Sequence, residues 1–181
     1  NFGWCLLADG VPTRCGMVDF PVRNVTDAHA ELNVFLAEMK PLVKAADDVV
    51  AERFQTRSVG GRSAIMGALG ERVNLMLGAM VSRREMALVP AMTWKGPVKK
   101  RLSLELLYKA TAVPPHVVDA GMIGWWWYRK SLYGKTPMQA LTLGQVAAFA
   151  KALEASYPGK LRNVKDKAGR IRDFKQDFLA K

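Results

Sequence analysis

Two short apolar runs separated by a long helical pattern constrain this chain more than anything else in it. The first is "DDVVAERF", a β-branched run that closes on Glu52, and the second is "MALVPAMTW". Between them, after the breaker Gly60-Gly61, Met66, Leu69, Val73, Leu77 and Met80 recur at the spacing of one helical face. Strand, helix and strand in that order predict an α/β sheet, and the first run is expected to be a strand buried on both faces.

The flanking segments extend this pattern. Residues 2–8 and 14–20 are apolar runs joined by Asp9-Gly10-Val11-Pro12, which predicts an antiparallel hairpin ended by Pro21. Thr26 is an N-cap candidate for a helix with Leu32, Phe35, Leu36 and Met39 on one face, ended or kinked by Pro41. Gly96-Pro97 is expected to open a basic helix. After Pro114-Pro115, "HVVDAGMIGWWWYRK" predicts a helix that places His116 and Asp119 on one face. Residues 131–139 are loop-like, and Thr142 with Gln145 forms a capping-box pattern for a helix ending near Ser156. The expected organisation is an α/β core over residues 1–130 and a basic helical extension over residues 131–181, with no internal repeat.

Charge narrows the partners. Lys and Arg number 27 against 16 Asp and Glu, a net charge of +11. Residues 160–181 concentrate it, with eight basic side chains against Asp166, Asp173 and Asp177. Such an excess fits a polyanion, either nucleic acid or an anionic surface, because each phosphate that is neutralised releases counterions. No apolar run reaches the ~18 residues of a membrane span, and the opening residues lack the basic start of a signal peptide. A soluble intracellular protein is expected, cytoplasmic or nucleoid-associated, with an organellar matrix as a further setting. The two cysteines, Cys5 and Cys15, have no clustered His or Cys around them for zinc. A hairpin register symmetric about Gly10 would set them opposite each other, and reduced, packed thiols are expected over a disulfide.

Three side chains converge once these elements are placed. Glu52 ends a strand, and His116 and Asp119 occupy the first turns of a late helix. In α/β sheets sites gather at the carboxyl ends of strands. Carboxylates brought together there need a cation between them, and hard oxygen ligands suit Mg²⁺ or Mn²⁺. Two such ions about 4 Å apart activate water and stabilise the leaving oxygen of a phosphodiester. Each residue also has an ordinary structural role open to it, Glu52 as a strand-end carboxylate, His116 as a helix-start histidine, and Asp119 as an acid favoured near a helix N-terminus.

In the order "NFGW", "VVAERF", "GRSAIMGALGERVNLML", "LVPAMTWKGPVKKRL" and "PPHVVDAGMIG", the chain resembles the RuvC-like Holliday-junction resolvases of the RNase H-like superfamily, over roughly residues 1–130. The resemblance implies an RNase H-like mixed sheet and a metal-dependent endonuclease, a homodimer that nicks two strands of a four-way DNA junction. It implies Glu52, His116 and Asp119 as metal ligands, with His116 or a metal-bound water assisting the nucleophile. It places Lys95 and Lys99 near the scissile phosphate, with Lys100 an equal competitor for the second position, and Phe54 as a wedge at the branch point. It also implies a further Asp ligand about five positions ahead of Asn1, for which Asp9 is a poor substitute.

Arg53, Arg57 and Arg62 surround the loop that follows Glu52 and are candidates to hold phosphates, contacts that position DNA without reading its sequence. The run "WWWY" at residues 125–128 points around a helix rather than along one face, so part of it is expected in the core and part over the extension or a dimer mate. Two further readings stay open. One is an RNase H-like chain that binds nucleic acid or acts as a scaffold subunit without cutting, and the other is a nuclease for other branched or RNA-containing substrates.

Overall fold

The structure, a computed structural model, describes residues 2–18, 28–53, 62–81, 86–100, 103–134 and 141–159. It is mixed α/β. In chain order the elements are β1 (Phe2–Ala8), β2 (Val11–Val18), α1 (Ala28–Ala45), β3 (Val49–Arg53), α2 (Arg62–Val81), β4 (Met86–Pro90), α3 (Ala91–Lys100), α4 (Ser103–Ala110), α5 (Pro115–Tyr133) and α6 (Leu143–Ser156). They fall into two compact units, one built on Val18–Trp94 and the other on Phe2–Met17 together with Lys95–Lys181, so the chain passes from one to the other inside α3. No helix among the described residues is long and apolar enough to cross a membrane.

In the first unit β3 and β4 pair in parallel, from Val49 opposite Met86 to Arg53 opposite Pro90. This is the geometry that a helical crossover between two strands requires. The crossover helix α2 buries Leu69, Val73, Leu77 and Val81, and α1, which packs on it, buries Leu32, Phe35, Met39, Leu42 and Val43. Two expectations are narrowed or corrected here. Of the two outcomes expected of Pro41, it does not end α1, which continues to Ala45, because Leu42 and Val43 bury beyond it and offset the lost N–H bond. β3 is not buried on both faces: only Ala51 is buried, Val49 and Val50 are half-buried, and Glu52 and Arg53 are exposed, as befits a strand with one paired edge among the described residues.

A third correction concerns α3. The strand stops at Pro90 and the helix starts at Ala91, so Gly96 and Pro97 lie within it rather than at its beginning. Trp94 explains the early start, because the helical turn carries its whole side chain out of solvent, at 0% exposure. Burying an indole outweighs the one backbone bond Pro97 forfeits.

In the second unit β1 and β2 form a hairpin whose turn is Asp9 and Gly10, both in the left-handed region with φ of 50° and 76°. That turn matches the twist of paired strands and lets β2 begin at Val11, ahead of the run expected at residues 14–20. The hairpin lies along α5. Gly3 is required by close approach, since a Cβ there would stand 2.1 Å from the His116 carbonyl oxygen. Leu7 packs against Gly124, and Gly10 sits beside the Tyr128 ring. Cys5 and Cys15 are free thiols hydrogen-bonded to each other, and Cys15 also donates to the Leu153 carbonyl at 3.5 Å. The bond to Cys15 and burial push the Cys5 thiol well above its ordinary range.

The helix predicted from Thr142 is α6, and its capping box is complete: Gln145 N donates to Thr142 Oγ1 and Thr142 N to Gln145 Oε1. Val146, Phe149, Ala150 and Leu153 of α6 are buried, and Glu154 accepts from Thr111 Oγ1 and from the Ala112 amide at 3.0 Å, tying α6 to the loop between α4 and α5. Among the described residues the strands make two separate two-stranded sheets, β1 with β2 and β3 with β4.

Candidate active site

The start of α5 is set by its prolines. Pro114 is the N-cap residue and Pro115 the first helical residue, where a missing N–H costs nothing, and Val117 N and Val118 N reach back to the Pro114 carbonyl at 3.0 and 3.2 Å. That fixes His116, exposed, in the first turn and Asp119, half-buried, one turn later on the same face.

Two other elements of the same unit close on Asp119. From α3, Lys95 places its Nζ 3.0 Å from Asp119 Oδ2. From α4, the Tyr108 hydroxyl donates to Asp119 Oδ1. Both carboxylate oxygens are therefore engaged, one by a charged donor and one by a neutral donor. The side chains of Lys95 and Asp119 are 31% and 21% exposed, so the pair is partly screened, and its worth to folding is no more than about 1 kcal/mol. Its main effect is to fix the direction of the carboxylate.

Glu52 belongs to the first unit. It stands exposed at the carboxyl end of β3, opposite Val89, and its Oε2 accepts from Trp94 Nε1 at 3.0 Å. The buried indole thus has its polar atom paired, and Glu52 is held at the strand end where the sequence places it.

Of the expected site residues, the structure brings Lys95 and Asp119 together, with His116 on the same helix. Arg53 is exposed beside Glu52. Arg62 opens α2, and Lys99 and Lys100 end α3, with side chains outside the described set; Phe54 and Arg57 lie outside the described residues altogether. Tyr108 and Trp94 were not singled out from the sequence. Tyr108 had a signal, since it follows Leu104 and Leu107 on the apolar side of α4 and a half-buried tyrosine needs a partner for its hydroxyl.

The expected metal is tested by these donors. Within neither unit do three or more His, Cys, Asp or Glu side chains among the described residues group around a point. The second unit offers one carboxylate, held by Lys95 and Tyr108, and one imidazole, whereas Mg²⁺ is bound through carboxylates and keeps several waters. These residues alone do not fit a bound Mg²⁺ or Mn²⁺. What they make is a carboxylate oriented by a lysine, with an exposed histidine one turn away. No family model, curated protein or solved structure matches the chain.

Proposed function

We propose that the chain is a structure-selective endonuclease that resolves four-way DNA junctions by paired nicks, with the RNase H-like organisation its motif order resembles. The observation that carries this reading is the contact of Lys95 with Asp119 at 3.0 Å. Lys95 lies in "TWKGP" and Asp119 in "PPHVVDAG", two motifs far apart in sequence that the resemblance assigns to one site. A lysine beside an acidic group at a phosphodiester supplies positive charge where negative charge develops. The net charge of +11 supplies the attraction to DNA. A homodimer and a need for Mg²⁺, replaceable by Mn²⁺, enter this proposal from the resemblance alone, since the described residues do not group to hold the ion.

A second reading, a subunit that binds nucleic acid without cutting it, is favoured by the same contacts seen from the other side. Asp119 is already paired with Lys95 and Tyr108, and Glu52 with Trp94. One assay separates the two: nicking of a labelled four-way junction, beside linear duplex and a splayed fork, by the intact gene product with Mg²⁺, Mn²⁺ or a chelator. Paired nicks at the junction that vanish in Glu52→Gln and Asp119→Asn, while junction binding persists, support the nuclease. Binding without cutting under either metal supports the second reading.

A further inference from the structure

The carboxyl-terminal turns of α5 carry an aromatic and basic cluster that neither reading above uses. Residues 125–133 hold Trp125, Trp126, Trp127, Tyr128 and Tyr133 in two and a half turns, more rings than one helix face can bury. The core takes Trp126, 1% exposed, and the hairpin takes Tyr128, whose ring lies against Gly10. The others do something else. Arg129 Cζ lies 5.8 Å from the centre of the Trp125 ring and 4.6 Å from that of Tyr133, so a guanidinium sits between rings four residues below and four above it. Lys130 Nζ lies 5.4 and 5.2 Å from the rings of Trp126 and Trp127.

Three features of this cluster point outward. Leu132 and Tyr133 are 57% and 55% exposed at the end of the helix, so the ladder of rings and cation ends on an open aromatic face. α5 carries no acidic residue after Asp119, which leaves the charges of Arg129 and Lys130 unopposed along the helix. Arg129 Nε and Trp127 Nε1 find no hydrogen-bond acceptor, although Arg129 Nη1 donates to the Tyr133 hydroxyl at 3.4 Å. A shielded donor without an acceptor keeps its desolvation cost uncompensated, so a ligand that brings acceptor oxygens as the side chains shift recovers free energy.

A ligand suited to this surface offers a flat π face, acceptor oxygens and negative charge within one repeat. A duplex hides its base faces, whereas an unpaired strand presents them, and every base stacks. A guanidinium stacked between rings still presents the donors at its edge to phosphate oxygens. We infer that the end of α5 is a stacking platform for single-stranded nucleic acid, in which the Tyr133 ring takes a base and Arg129 and Lys130 take the adjoining phosphates. The inference shares the nucleic-acid partner with the proposed function and none of its cleavage chemistry.

The test holds charge constant, because a chain of net charge +11 attracts any polyanion. The full chain, Tyr133→Ala and Tyr133→Phe are titrated at physiological salt against a fluorescein-labelled oligothymidylate, with thermal melts of all three. Tyr133→Phe binds like the parent and Tyr133→Ala about tenfold more weakly, with unchanged melts, if the platform takes bases. Equal affinities for the parent and Tyr133→Ala overturn the inference, as does a parent that does not bind the oligonucleotide. A Tyr133→Ala defect confined to phosphatidylserine vesicles also overturns it and assigns the surface to lipid. Junction nicking is read on the same variants: loss of oligonucleotide binding by Tyr133→Ala in a protein that never nicks leaves this inference standing and removes the nuclease, and the converse result does the reverse.

Discussion

Lys95 Nζ stands 3.0 Å from Asp119 Oδ2 and so joins α3 to α5 at the candidate site. The pair is partly exposed, so Lys95→Met is expected to lower the unfolding free energy by no more than about 1 kcal/mol, while junction nicking falls by about 100-fold. Denaturant unfolding and single-turnover nicking of the same preparation check both halves. A nicking rate that survives the change removes Lys95 from the chemistry.

Tyr108→Phe keeps the ring of Tyr108 in place and deletes only the hydroxyl that donates to Asp119 Oδ1. The expected loss is about 1 kcal/mol, measured as a shift of the urea midpoint at constant slope. Combined with Lys95→Met, the two losses are expected not to add, since both side chains serve one carboxylate. Strict additivity would argue against a shared network.

Two glycines are predicted to respond in opposite directions. At Gly3 a Cβ meets the His116 carbonyl oxygen at 2.1 Å, a backbone atom that cannot swing aside, so Gly3→Ala destabilises by about 1–3 kcal/mol or more. At Gly96, inside α3, a Cβ meets nothing within 4 Å, and Gly96→Ala stabilises by up to about 1 kcal/mol. Thermal melts of the two variants against the parent decide the signs.

The Cys5 thiol is held protonated by its hydrogen bond to Cys15 and by burial, so its folded-state pKa lies above the ordinary thiol value of 9.0. A group raised in this way stabilises the fold fully below that value, and the contribution is lost as pH climbs beyond it. The same bond lowers the Cys15 thiol, so the two titrate as a pair; above about pH 9 unfolding free energy is expected to fall, and Cys5→Ala to reduce that slope. Equal slopes for parent and variant between neutral and strongly alkaline pH would show that Cys5 does not titrate differently on unfolding.

What the sequence displayed most clearly was local chemistry. Thr142 and Gln145 announce α6 because a capping box is complete within four residues, and Asp9-Gly10 announces the hairpin because left-handed turns restrict residue choice. The crossover of β3, α2 and β4 was legible from period alone. The early start of α3 was not, because it depends on where Trp94 is buried, a tertiary matter that Gly96-Pro97 obscures. Glu52 in the first unit and Lys95, His116 and Asp119 in the second stood out as residue types, but their partners did not. Tyr108 and Trp94 act through atoms that only packing brings into reach. The extent of β3 burial was misread for a related reason, since Val49 and Val50 describe a strand but not how many neighbours cover it.

The close approach of Gly3 to His116 has a consequence for how the protein is made. A strand near the beginning of this sequence is completed by a helix whose residues leave the ribosome on the order of ten seconds later, at ~5–20 residues per second. Residues 18–94, which pack among themselves, are synthesised in the interval. The β1–β2 hairpin thus spends that time without α5 over its glycines. Slowing translation between α2 and α5 lengthens the exposure of the hairpin, whereas a circular permutation that places β1 and β2 after α6 abolishes it.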